Sequence, residues 1–173
     1  MLAKILSYTL SGLNGTPITI EVDVNNGIPA FEIVGLGDTA VKESKERIRS
    51  AIKNSGRRVP TQKITANLAP ADIKKEGSSF DLALAIGVLK ASGQLVANTD
   101  NIVFIGELSL DGSIRRVNGV LPTIISALSE GYDTFIIPKD NEKEASFVSG
   151  TTTYAISTLS EVIDHLSGLK KVE

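Results

Sequence analysis

Between Phe80 and Leu89 only Asp81 and Gly87 interrupt a run of apolar side chains. Such a run leaves no polar face at a period of 3.6 residues, so a helix built from it must be buried on all sides. The rest of the chain has to be wrapped around it. A strand ending near Asn67 and a charged loop from Pro70 to Gly77 lead into the helix, which is expected to open at Ser78. Ser78-Ser79-Phe80-Asp81 has the form of a capping box, with Ser78 capping and Asp81 reaching back at the positive helix end. The same Lys-Glu-Gly-Ser-Ser mouth has the form of a nucleophile site at Ser79, provided a base of lowered pKa lies within reach.

The other elements follow from periodicity. Residues 3–10, 16–24 and 30–34 alternate as strands, separated by Gly- and Asn-rich turns, and read as an antiparallel meander. A helix over 39–54 has one apolar face, with Val41, Ile48, Ala51 and Ile52. Lys42, Lys45, Arg49 and Lys53 follow at three- and four-residue steps along another face, and Gly56 ends the helix. Residues 63–68 form a fourth strand. The run 101–108 is continuously apolar enough for a strand covered on both faces, and Asp111-Gly112 turns it into 113–117. A helix over 120–129, a strand at 134–137, a short helix through Val148, a strand over 151–156 and a helix over 157–166 complete the order. Strands first, then alternating helix and strand, give one α/β (α+β) domain with a mixed sheet over residues 1–168, and 169–173 read as a tail.

Composition removes several functions. The 173 residues include no cysteine, which excludes disulfides, thiolate zinc sites and cysteine nucleophiles and fits a cytoplasmic location. The first eight residues alternate like a strand rather than a signal peptide, and no run approaches the roughly 20 apolar residues of a membrane span. His165 is the only histidine, and the carboxylates show no metal-loop spacing, so no metal site is expected. Gly35-Leu36-Gly37 lacks the third glycine of a dinucleotide fingerprint.

Charge is unevenly placed. From Lys42 to Lys75 ten basic residues face three acidic ones, an excess of +7 in a chain whose net charge is −2. Lys45, Arg49, Lys53, Arg57 and Arg58 are therefore candidate contacts for an anion or a nucleic-acid backbone, which asks for cations but little geometry. With no tryptophan, three tyrosines and five phenylalanines, a stacking platform for single strands is poorly supported. Lys74 and Lys75 either hold an anion beside the helix mouth or are solvated loop lysines flanked by Asp72 and Glu76.

Ile33-Val34-Gly35-Leu36-Gly37-Asp38, Asn67-Leu68-Ala69-Pro70-Ala71-Asp72, Lys75-Glu76-Gly77-Ser78-Ser79-Phe80-Asp81-Leu82 and Gly106-Glu107-Leu108-Ser109-Leu110-Asp111-Gly112 together resemble the N-terminal domain of the ComM/YifB family. Those are bacterial AAA+ ATPases related to the magnesium-chelatase ATPase subunit. The chain is similar, more distantly, to the C-terminal domains of Lon proteases. The resemblance implies the Lon-proteolytic-domain fold, shared with a ribosomal-protein domain. It implies an ATPase module beyond residue 168, carrying ATP and Mg, and a cytoplasmic, hexameric whole protein that remodels branched DNA in recombination and natural transformation. This chain has no Gly-x-x-x-x-Gly-Lys-Ser/Thr and so no phosphate-binding loop of its own. The expected role is a non-catalytic accessory domain contacting DNA or the AAA+ module. One alternative is a Lon-like Ser-Lys peptidase with Ser79 as nucleophile. Its lysine position corresponds to Leu121, and no lysine occurs between Lys90 and Lys139. Another is a magnesium-chelatase-type chaperone module.

Overall fold

A computed structural model describes residues 1–75 and 77–168; Glu76 and the expected tail at 169–173 lie outside the described residues. β1 (Leu2–Ser11) and β2 (Asn14–Asn25) form a long antiparallel hairpin, paired from Leu2↔Asp23 to Ser11↔Asn14. β3 (Ala30–Val34) leads through α1 (Asp38–Asn54) to β4 (Lys63–Ala69). After α2 (Asp81–Ala91) come β5 (Ile102–Phe104), β6 (Glu107–Leu108), β7 (Ile114–Arg115) and α3 (Val120–Ser129). β8 (Thr134–Pro138), α4 (Glu142–Ala145), β9 (Thr152–Ile156) and α5 (Leu159–Ser167) close the chain. The main sheet has the order β3-β4-β2-β1-β5-β8-β9, with β6 and β7 paired as a separate ribbon. This is an α/β fold on a mixed seven-stranded sheet.

The expected meander stops at the hairpin. β4, not β3, lies against β2, antiparallel over seven residues, and β3 pairs parallel with β4 at the sheet edge. Side chains decide the arrangement. β3 buries Phe31 and Ile33 but exposes Glu32 and Val34, which suits an edge, whereas β4 buries Ile64, Ala66 and Leu68 completely or nearly so. The expected strand over 101–108 also divides. Beyond Phe104, the N–H of Gly106 donates to the Ser79 carbonyl at 3.0 Å, and the Gly106 carbonyl accepts from Leu82 N at 3.0 Å. The start of α2 thus takes the backbone groups that a continuing strand would have used, and β6 is redirected to β7.

Alternation along the inner strands sorts two cores onto the two sheet faces. Phe104, Ile136 and Ile156 join α1, α2 and α5 on one face; Val103, Phe135, Ile137 and Ala155 join α3 and α4 on the other. α2 sits as its sequence demands: every residue except Lys90 is buried. Gly87 explains its close approach to the hairpin. A Cβ there would lie 2.5 Å from Cγ2 of Val22 and 3.3 Å from its Cβ. Val22 is wholly buried and branched, so it cannot swing clear. Gly87→Ala gains roughly 1 kcal/mol of helix propensity but overpacks the α2–β2 contact, at about 1–3 kcal/mol. Urea unfolding is expected to show a less stable variant; a more stable one would mean that the helix has room to move. No helix among the described residues is long and apolar enough to cross a membrane.

Candidate nucleic-acid interface

α1 turns Ser44, Ile48, Ala51 and Ile52 inward, which leaves the positions of Arg49 and Lys53 facing outward. After Asn54 the chain reverses on Gly56, whose φ of 76° is one that glycine adopts without strain. The Gly56 N–H donates to the Lys53 carbonyl and the Arg57 N–H to the Ile52 carbonyl, at 3.2 and 3.1 Å. Arg57 and Arg58 are thereby folded back beside the last turn of α1. Arg49, Lys53, Arg57 and Arg58 line one open cleft of about 550 Å³, with Ser50 and Val59. No carboxylate lines it. None of the four cations is in a salt bridge among the described residues. The Arg49 guanidinium lies over the Phe31 ring, 5.6 Å from its centroid, a cation–π contact that leaves its charge uncompensated.

Arg58 is held from behind. Its N–H donates to Oε1 of Gln94 at 2.9 Å and its carbonyl accepts from Nε2 at 2.6 Å. A glutamine amide satisfying both backbone groups of one residue fixes that residue's position. Nothing in the sequence spacing singles out Gln94, because the pairing spans 36 residues.

The other candidate cations lie elsewhere. Lys45 donates to the Phe31 carbonyl at 2.8 Å, satisfying backbone of the edge strand, and does not line the cleft. Lys74 sits on the loop before α2. Lys75 corrects the reading of a solvated lysine: it is 4% exposed, and its ammonium donates to the carbonyls of Pro70 and Ile73 at 2.5 and 2.6 Å. Carbonyl oxygens turned inward replace the water that a buried ammonium would lose.

The capping box at the α2 mouth is also corrected. The helix begins at Asp81 with Phe80 as its cap residue and no side-chain cap bond. The Ser78 hydroxyl donates instead to the Glu107 carboxylate. Asp81 is fully buried, and Arg47 reaches it from α1, with Nε 2.5 Å from Oδ2 and Nη2 3.2 Å from Oδ1. Ser44 Oγ donates to Oδ1 at 2.9 Å and the Leu108 N–H to Oδ2 at 3.2 Å. Burial pushes the Asp81 carboxyl above the ordinary carboxylate range, against the opposing pull of Arg47 and the other donors. The hydrogen bond to Asp81 holds the Arg47 guanidinium protonated still more firmly than usual. Asp81 is thus a joint between α1, α2 and β6 rather than a cap. The signal was in the sequence: an aspartate inside an otherwise apolar buried helix needs a cationic partner. Among the described residues, no group of three or more histidine, aspartate or glutamate side chains converges to hold a metal.

A family model described as "Subunit ChlI of Mg-chelatase" matches residues 20–141, which include the cleft and the α2 mouth. The chain belongs to the ChlI family. Among its curated relatives, "Competence protein ComM" of Haemophilus influenzae is 44% identical over 172 residues, covering 99% of this chain and 34% of that protein. "Uncharacterized protein YifB" of Escherichia coli is 44% identical over 163 residues, covering 94% and 32%. "Lon protease 2" of Bacillus subtilis is more distant, at 27% over 171 residues, 88% of this chain and 30% of the protease. The chain spans about a third of the length of each of these relatives.

Proposed function

We propose that this ChlI-family chain is a non-catalytic accessory domain whose basic cleft grips nucleic-acid backbone for a longer, cytoplasmic, ATP-driven assembly related to ComM. The observation that carries the reading is the cleft of Arg49, Lys53, Arg57 and Arg58. In a chain of net charge −2, four cations that form no salt bridge among the described residues line one volume with no acid among them. Like charges so placed repel, and an anion relieves that repulsion. In this reading ATP and Mg act on a module outside the chain, and the assembled protein is a hexamer that moves DNA branches. Binding of forked and duplex DNA at two salt concentrations tests it, because phosphate contacts release counterions and weaken steeply with salt.

The non-catalytic part rests on Ser79. The position that would supply a dyad lysine is Leu121, on α3, a helix with no lysine at all. The lysine nearest in sequence, Lys75, spends its ammonium on the Pro70 and Ile73 carbonyls. A serine hydroxyl without a base is a poor nucleophile. A serine-directed phosphonate is therefore expected to leave Ser79 unlabelled, by intact mass and by comparison with Ser79→Ala. Stoichiometric labelling of Ser79 would restore the peptidase reading.

A further inference from the structure

We propose that the cleft, within its grip on nucleic-acid backbone, prefers a strand end, a terminal phosphate monoester with its nucleotide, over an internal stretch of backbone. The inference rests on the nucleic-acid reading above and narrows it. A continuous backbone offers singly charged diesters in a regular row and is met by cations spaced along a face. Here the Gly56 reversal folds Arg57 and Arg58 back over the end of α1, so that four basic residues line one concavity of about 550 Å³. That volume lies in the range of small-ligand sites. A phosphate monoester carries nearly two charges at neutral pH and three acceptor oxygens, which matches several cations around one concavity better than a diester does.

A second recess supports the same ligand. It shares Arg58 and Val59 with the cleft, holds about 200 Å³, and is lined otherwise by neutral side chains, among them Thr61, Gln62, Ser92 and Gln94. Hydroxyls and amides beside a cationic cleft suit the sugar and base attached to a terminal phosphate. Gln94 joins the two parts: it lines the recess while its amide clamps the Arg58 backbone at 2.9 and 2.6 Å. Gln94 is a positioning residue, setting Arg58 at the border between the two.

The test uses the whole chain and one single-stranded oligonucleotide, labelled internally, in three forms: 5′-phosphate, 3′-phosphate, and hydroxyl at both ends. At 150 mM salt one phosphorylated form is expected to bind about tenfold tighter than the hydroxyl form, the worth of one charge-assisted hydrogen-bond set. Arg58→Gln is expected to abolish that preference. Gln94→Ala, which keeps every charge, is expected to reduce the preference while leaving the salt dependence of the hydroxyl form unchanged. Salt-dependent binding that is equal for all three forms overturns the strand-end inference and leaves backbone binding standing. A preference that survives Arg58→Gln overturns it too, by placing the end elsewhere. Absence of binding by any form at low salt overturns both readings.

Discussion

Replacing Arg47 with methionine is expected to lower stability by about 3–5 kcal/mol at neutral pH, the cost of leaving a buried charge without its partner. For a domain of this size that is a fall in Tm of roughly 10 °C. Methionine keeps most of the aliphatic volume, so the loss isolates the guanidinium. Asp81, fully buried, would then retain, among the described residues, only Ser44 and the Leu108 N–H as donors. The pH dependence has a definite sign. Burial raises the folded-state pKa of Asp81 above its unfolded value. The stability linked to its proton is therefore fully present below the unfolded pKa and lost as pH rises through the folded pKa. Without Arg47 the folded pKa rises further, so the gap between wild type and variant should be widest at neutral pH and narrow on acidification through and below the carboxylate range. Asp81→Asn should cost less than Arg47→Met. It removes the buried charge, and Arg47, about one-fifth exposed, can turn its guanidinium to water. Urea titrations of the three proteins from neutral pH down through the carboxylate range measure all of this. A gap that stays constant with pH would mean that Asp81 does not carry the charge assigned to it.

The second large effect is on binding. Changing Arg49, Lys53, Arg57 and Arg58 together to glutamate is expected to weaken DNA binding by roughly 10²–10³-fold at low salt, since each phosphate contact contributes to the counterion-release term. The fold should survive. Arg49, Lys53 and Arg58 are exposed, Arg57 is half-buried, and among the described residues no side-chain hydrogen bond from Lys53, Arg57 or Arg58 ties the core together. Net charge alone does not account for the expected loss. A control in which the exposed Lys4, Lys42, Arg116 and Lys143 become glutamate has the same net charge and leaves the cleft intact. It should retain most of the binding at moderate salt, where distant charges are screened.

Much of this architecture is legible residue by residue. The apolar run at 80–89 names the central helix because no other environment accepts it, and the alternation in 16–24 and 63–68 names strands whose inward residues are the buried ones. Strand order is not local information. Whether β3 or β4 lies beside β2 depends on which covers more apolar surface from both sides, and neither pattern states that alone. Gly106 breaks an apolar run for the sake of a helix start more than twenty residues earlier in the chain. The same distance hides the partners of Asp81 and Gln94, and the carbonyl cage of Lys75 is backbone, which side-chain patterns do not report. The basic block was visible as a charge count. That only four of its members share a cleft, while Arg47 is neutralised and Lys45 and Lys75 serve backbone carbonyls, is decided by folding.

The claim that the cleft of α1 and the Gly56 turn is a phosphate-binding surface is tested most directly by the salt slope of DNA binding. Log affinity against log salt should fall with a slope near −3 for duplex DNA, about −0.9 for each of three to four phosphates engaged. In the four-glutamate variant the slope should approach zero, while the charge-matched control keeps it. Equal slopes in the wild type and the four-glutamate variant, or binding in the wild type that ignores salt, would contradict the assignment.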